Sequence, residues 1–545
     1  MDTNKLRTIP DVFLQAFKQY HDRPAFTCLG KTLTYGEIDR YSEQFASYLQ
    51  NHTNLKPGDR VAVQLANLLQ YPVAMFGILR AGMILVNTNP LYTERELEHQ
   101  LNDSGAKVLV VMSNVASAAA AVIRNTSVEQ VIVTDAADLH GFPMGPVINF
   151  VAKYIKKMVP PFSFSNQLAF NQALKLGASS TLTPTTVEPS DIAVLQYTGG
   201  TTGVAKGTML THSNIVANMM QVDDRIGGTN VPGHEIYVAP LPLYHIYAFT
   251  IHCMMLVYTG NHNILIPNPR DLDSLVKALK PFKITGFVGL NTLFNGLCHH
   301  DGFKALDFSQ LKITSSGGMA LTTGVATKWQ DITGCQVSEG YGLTETSPVV
   351  SANPPDAIRP GTVGTAVVGT EVKVVDEQGQ PRPAGEAGEL LVRGPQVMKG
   401  YWQRPEDTAA ALSADGWFET GDIAVISDDG YIKIVDRKKD MIIVSGFNVY
   451  PNEVEDEACK HPGIREAAAI GVANEKSGET VKLFVVKSDP SLTEEDVIAF
   501  CRKQLTGYKV PHLIEFRDDL PKSNVGKILR RELKDEEKAK AAKAG

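Results

Sequence analysis

Between Tyr197 and Gly207 the chain reads Tyr-Thr-Gly-Gly-Thr-Thr-Gly-Val-Ala-Lys-Gly, a set of residues suited to holding phosphate. Gly199, Gly200 and Gly203 let the backbone turn its N–H groups inward, the hydroxyls of Thr198, Thr201 and Thr202 add donors, and Lys206 supplies a point charge. The spacing departs from that of the Walker P-loop, because Gly207 follows the lysine and no glycine directly precedes it. Taken alone, such a run also fits an ordinary surface loop.

Four other segments carry chemistry of a matching kind. Tyr341-Gly342-Leu343-Thr344-Glu345-Thr346 sets a ring, a hydroxyl and a carboxylate just after the apolar Val337. Beside a phosphate cradle one carboxylate suffices to help hold Mg²⁺, which takes one or two protein carboxylates together with phosphate oxygens and water. The run Asp415 to Asp422 ends in an acid that could bind a ribose diol, and Arg437 could reach the same nucleotide. Pro240 to Phe249 is aromatic-rich around a single histidine, His245, and Pro521 to Leu533 puts Lys527 after Gly526 at the start of a helix. Singly, these are also a surface acid, the end of a core strand and a basic helix start.

Composition narrows the class. The 545 residues exceed one ordinary core. With 43% hydrophobic and 20% charged residues and a net charge of -7, the chain reads as a globular protein with no call for nucleic acid. Cys28, Cys253, Cys298, Cys335, Cys459 and Cys501 are scattered without metal-ligand spacing, which suits a reduced, cytoplasmic compartment. The first residues lack a signal-peptide pattern, and no apolar run is long enough to cross a membrane. In Pro146 to Val159, however, Asn149, Lys153, Lys156 and Lys157 share one helical face while Val147, Ile148, Val151, Tyr154, Ile155 and Met158 share the other. That is either a basic amphipathic helix on an anionic membrane surface, here the inner face of the cell membrane, or a surface helix packed on its own protein.

The elements that must position these residues follow a strand-helix rhythm. Val61–Leu65, Lys107–Met112 and Gln130–Thr134 alternate with helical stretches such as Tyr92–Asn102, and Lys283–Gly289 and Leu311–Ser316 continue the pattern. An α/β fold with parallel sheets is expected. From Val363 to Val435 short β-rich runs with frequent glycine predict a distorted β-barrel or meander. The five charges Asp436 to Asp440 separate this N-terminal lobe, residues 1–435, from a small α+β domain, residues 441–545, and so predict a hinge at 436–440. The Lys/Glu/Ala-rich stretch from Lys534 to Gly545 is expected to be a frayed helix.

Together the motifs resemble the adenylate-forming superfamily of acyl-CoA synthetases, adenylation domains and luciferases, over nearly the whole chain. The block Asp415 to Lys439, continued by Val444 to Glu455, is similar to the signature of its fatty acyl-CoA synthetases, and the overall pattern to that of the bacterial long-chain enzymes. The resemblance implies a large lobe of two parallel-type α/β subdomains plus a distorted barrel, hinged to a mobile C-terminal domain. It implies ATP, Mg²⁺ and CoA, with a fatty acid as substrate. Thr198 to Lys206 would then bind the β- and γ-phosphates, with Thr198 and Glu345 at the metal and Thr344 on the α-phosphate. Gly317, Gly318, Tyr341 and Gly342 would flank the adenine, and Asp422 and Arg437 would hold the ribose. Lys527 would be the adenylation lysine, Lys439 the hinge residue, His245 an acyl-site gate, and Ser445-Gly446-Phe447 a wall of the pantetheine tunnel. Gly289 to Phe294 lacks the proline common at that point of the family, and a homodimer is left open. Transfer to a carrier protein is disfavoured by the uninterrupted run from Val435 to Asn448, and a nucleotide or lipid sensor by the joint presence of Lys206, Glu345, Asp422 and Lys527.

Overall fold

The computed structural model describes residues 7–198, 205–474, 477–523 and 527–544, with side chains to 540. Val61–Val63, Val108–Val111 and Val194–Leu195 are buried on both faces, as in parallel strands covered by helices on each side. They belong to an eight-stranded sheet in the order Gly400–Tyr401, Lys206–Thr211, Ile192–Thr198, Ile84–Asn87, Arg60–Gln64, Val108–Met112, Gln130–Thr134, Gln167–Ala169. It is parallel from Ile192–Thr198 onward, and Lys206–Thr211 turns back antiparallel.

A nine-stranded sheet lies beside it, with a parallel centre of His262–Leu265, Ile236–Ala239, Gly286–Gly289, Ile313–Ser316 and Val337–Gly342. The helix His212–Ile226 starts at a capping box in which Thr211 accepts from Asn214, and its Ile215, Met219 and Val222 form a buried stripe. Glu371–Val375, Ala387–Arg393, Phe418–Ile426 and Ile432–Arg437 pair in chain order as a four-stranded antiparallel sheet, the meander of the two expected forms. Among the described residues no pairing closes it.

From Ile442 onward the strands form a separate sheet flanked by helices. Its buried side chains, among them Val449, Val454, Leu483 and Val497 on one face and Ile470, Phe484 and Leu533 on the other, cluster apart from those of the lobe. The last helix, from Arg530, is docked, contrary to the frayed tail expected. Leu533 is fully buried, and Glu536 and Glu537 pair with Arg517 and Lys482.

The segment after the strand Gln130–Thr134 departs from both sequence readings of its polar face. Asn149 turns toward the protein, accepting from the Ala137 N–H and donating to Asp138. The apolar side faces outward: Phe142, Met144, Val147, Phe150, Tyr154, Ile155 and Met158 are seven of the fifteen large hydrophobic residues that stand exposed among those described. No described helix is long and apolar enough to cross a membrane.

Candidate active site

The carboxyl ends of the parallel strands deliver the motif residues to one cleft, as expected for ligand sites in open α/β sheets. Thr198 ends its strand opposite Lys206, so the Gly/Thr run is the connection of an antiparallel pair. Gly199, Gly200, Thr201, Thr202 and Gly203 themselves lie outside the described residues. Gly317 and Gly318 follow Ile313–Ser316, Tyr341 and Gly342 end Val337–Gly342, and His245 follows Ile236–Ala239. The cleft, about 3420 Å³, is lined by Thr198, Lys206, His245, Gly317, Gly318, Tyr341, Gly342, Thr344, Glu345, Asp422, Arg437, Lys439 and Lys527. An ordinary ligand pocket holds roughly 300–1,000 Å³, so this one has room for several substrates.

Asp422 is the centre of the end at which nucleotide contacts are expected. Its buried carboxylate accepts the Tyr341 hydroxyl at 2.5 Å and pairs with Arg437 Nε at 3.2 Å, across strands that set Asp422 opposite Arg437. The ring expected beside the adenine is thus fixed by the acid expected at the ribose. Glu345 sits on the short turn Thr344–Thr346 and accepts the Tyr401 hydroxyl at 2.9 Å. Burial pushes its carboxyl up, and among the described residues it has no ion-pair partner within 4 Å. A sunken carboxylate with no direct ion pair, next to the strand pair that carries Thr198 and Lys206, fits Mg²⁺. No cluster of three or more His, Cys, Asp or Glu offers an all-protein metal cage among the described residues.

Lys527 enters from the other domain. Its Cε would lie 3.8 Å from a β-carbon on Gly318, whose φ of +85° keeps the backbone turned to admit it. Desolvation and then the Arg437 guanidinium push its ammonium down to about 8, against the pull of Asp422 and Glu345. His245 is held down to about 4, first by burial and then by the Lys527 charge, so it is a neutral imidazole that can accept but not carry charge. Between the lobes, Lys439 is lowered to about 8 by burial and Arg437. Arg530 meanwhile ties Glu455 at 2.7 Å to Asp436 and Asp440 at 3.5 and 3.8 Å.

Ser445, Gly446 and Phe447 are not brought to this cleft. Ser445 and Gly446 have φ of +51° and +84°, forming the tight turn of a hairpin, and exposed Phe447 stacks on Tyr508 at 4.8 Å.

From the nucleotide end an apolar channel runs down one face of the nine-stranded sheet. Residues two apart on a strand share a face, which aligns Tyr237, Gly286 and Ile313 in one row and Val288, Ser315 and Ser338 in the next. Gly317 and Gly340 continue it upward. Val222 and Ile226 with Ile251 and Met255 form the facing wall. Ser315, Ser338, Gly317 and Gly340 present little bulk to it, whereas the Tyr237 ring covers Gly286.

The profile described as AMP-binding enzyme matches residues 13–402, and that of the AMP-binding enzyme C-terminal domain matches 453–527. The chain belongs to the AMP-binding enzyme family. Within this family it is similar to the long-chain-fatty-acid–CoA ligase of Escherichia coli O6:H1, at 53% identity over 99% of this chain and 96% of that one. It is 39% identical to the ligase of the same description in Bacillus subtilis, over 97% and 95%. Among solved structures it resembles the anthranilate CoA ligase AuaEII in complex with anthranoyl-AMP (TM-score 0.86, 25% identity, 99% and 100% covered). It also resembles an ATP-bound RpMatB-BxBclM chimera (TM-score 0.82, 28% identity, 97% and 99% covered).

Two side chains in contact with the candidate residues escaped the motifs. Tyr401 and Asp407, which contact Glu345 and Lys206, come from a strand and helix start with no local signature of nucleotide chemistry.

Proposed function

We propose that the chain is a long-chain fatty acid CoA ligase, an AMP-forming acid–thiol ligase working in two half-reactions. In the first, a fatty carboxylate attacks the α-phosphorus of ATP, forming acyl-AMP and releasing pyrophosphate; in the second, the CoA thiol attacks the acyl carbon and AMP leaves. The observation that carries this reading is the meeting of Lys527 with Gly318, Asp422, Arg437 and Glu345 at the head of an apolar channel.

The residues act by position and charge. The carboxylate is already ionised, so no general base is required, and Lys527 offsets charge where carboxylate and α-phosphate meet. Tyr341, Asp422 and Arg437 fix the nucleoside, and Thr198 and Lys206 take the outer phosphates. Mg²⁺, held by Glu345 with Thr198 and phosphate oxygens, supplies charge neutralisation when bound. Neutral His245 stands between channel and Lys527, where it can orient the carboxylate without competing for it. Lys439 would be the pivot on which the domain 441–545 turns to bring Ser445-Gly446-Phe447 to the thiol.

The test is product analysis with Mg-ATP, CoA and C4 to C20 fatty acids. Wild type is expected to release AMP and C14 to C18 acyl-CoA, and Lys527→Ala to lose acyl-AMP formation while still binding ATP. Undiminished acyl-AMP formation by that variant would overturn the mechanism.

Peripheral attachment to a membrane is part of the same reading. Exposed Phe142, Phe150, Tyr154 and Ile155 with Lys153, Lys156 and Lys157 combine apolar area with positive charge, which suits an anionic lipid surface. The segment follows the carboxyl end of the strand Gln130–Thr134. Flotation with phosphatidylglycerol vesicles should recover wild type and leave a Phe150→Glu/Ile155→Glu variant behind. Equal flotation of both would reject this surface.

A further inference from the structure

Lys206, the phosphate-cradle lysine, already has a partner. Its Nζ lies 2.5 Å from Asp407 Oδ1, and 5.3 Å above the ring of Tyr401, whose hydroxyl donates to Glu345. The partner is held firmly in place. Gly400 and Tyr401 pair with Met209 and Thr208 on the strand that Lys206 begins, Trp402 N–H donates to Gly207 at 2.7 Å, and Tyr401 N–H donates to Thr408 beside Asp407. Both charged side chains are more than a third exposed, at 37% and 38%, so the pair is one that a stronger anion can displace.

A carboxylate at this place has no role in binding a polyphosphate. It repels the phosphates that Lys206 attracts, and it must give up the ammonium before they can take it. We propose that Asp407 is an exchange partner for Lys206: it holds the ammonium in the nucleotide-free enzyme, yields it to the outer phosphates of ATP, and recaptures it as pyrophosphate departs. Asp407 is a positioning residue, acting through Lys206. The inference rests on the reading that Lys206 meets the β- and γ-phosphates. Its consequence is weaker retention of pyrophosphate, the product that would otherwise reverse the adenylation.

The experiment is calorimetric titration of ATP, inorganic pyrophosphate and AMP into the full chain, with pyrophosphate inhibition of acyl-CoA formation measured alongside. An exposed ion pair contributes about 0.2–1 kcal/mol, or up to about fivefold in affinity. Asp407→Asn is therefore expected to bind ATP and pyrophosphate about two- to fivefold tighter, with AMP unchanged and pyrophosphate inhibition strengthened by the same factor. Asp407→Glu, which keeps the charge, should bind pyrophosphate like wild type, and Glu406→Gln, which removes a neighbouring charge, should change nothing. Lys206→Ala separates the two layers. If it weakens pyrophosphate binding while Asp407→Asn fails to strengthen it, or Glu406→Gln strengthens it equally, the exchange is refuted and the phosphate reading stands. If Lys206→Ala leaves pyrophosphate binding untouched, the phosphate reading falls and the exchange falls with it.

Discussion

Ser315→Trp is expected to convert the long-chain specificity into a short-chain one. Ser315 lies on the channel floor two residues below Gly317, between Val288 and Ser338. Two strand residues advance about 6.6 Å. Carbon–carbon bonds of about 1.5 Å advance an extended acyl chain by about 1.25 Å each, so about five methylenes fit above the new indole. Hexanoate would fit. A sixteen-carbon acid would be stopped with about ten methylenes kept from apolar surface, and at about 0.8 kcal/mol each the loss approaches 8 kcal/mol. Some of the displaced chain will find other apolar contact, so a fall of at least about a thousandfold in kcat/KM for palmitate, about 4 kcal/mol, is the expected outcome. The assay is acyl-CoA formation with hexanoate and palmitate side by side, with ATP affinity as the check that the fold is intact. If the variant binds ATP normally and still uses palmitate within about threefold of wild type, the chain does not run along this face, and the depth argument fails.

Gly286→Ala tests the packing behind Tyr237, which lines the same channel. A β-carbon there would meet the Tyr237 ring at 2.3 Å, so the ring must move or the strand must shift, at a cost of about 1–3 kcal/mol. A lower melting temperature and a shift toward shorter substrates are expected, and adding Tyr237→Ala should relieve both. Between the lobes, Arg530→Met would leave Glu455 and Asp436 without their cation and Asp440 with Lys534 alone. Breaking such a buried network costs about 3–5 kcal/mol. Calorimetry should show the loss in the C-terminal transition, with the nucleotide lobe melting as before.

What the sequence disclosed and what it withheld divide along contact range. Glu345, Asp422 and Lys527 were legible because each sits in a short run whose residue types already specify a local job. The Tyr341–Asp422 bond spans 81 positions and the Lys206–Asp407 pair 201, and nothing in either local run names its partner. Gly286 looked like one more glycine in an apolar strand. Its meaning appears only when parallel register puts it next to Tyr237. The α/β rhythm was readable because buried parallel strands are continuous apolar runs, whereas the β-rich stretch from Val363 gave strands without saying whether they close. Asn149 was assigned to the solvent by periodicity, yet Ala137 and Asp138 satisfy it inside. A short amide obeys its hydrogen-bond partners before it obeys a helical wheel.

The two lobes keep their hydrophobic clusters to themselves, and around 436–440 their contacts include Arg530, Asp436, Asp440, Lys534 and Asn452. Turning the small domain about 436–440, as proposed, would exchange these ion pairs and hydrogen bonds for water and leave both apolar cores closed. The balance between poses would then follow ionic strength rather than the heat-capacity terms that accompany exposure of apolar surface. On that proposal salt becomes a dial on the catalytic cycle, one that can be turned without loosening the fold.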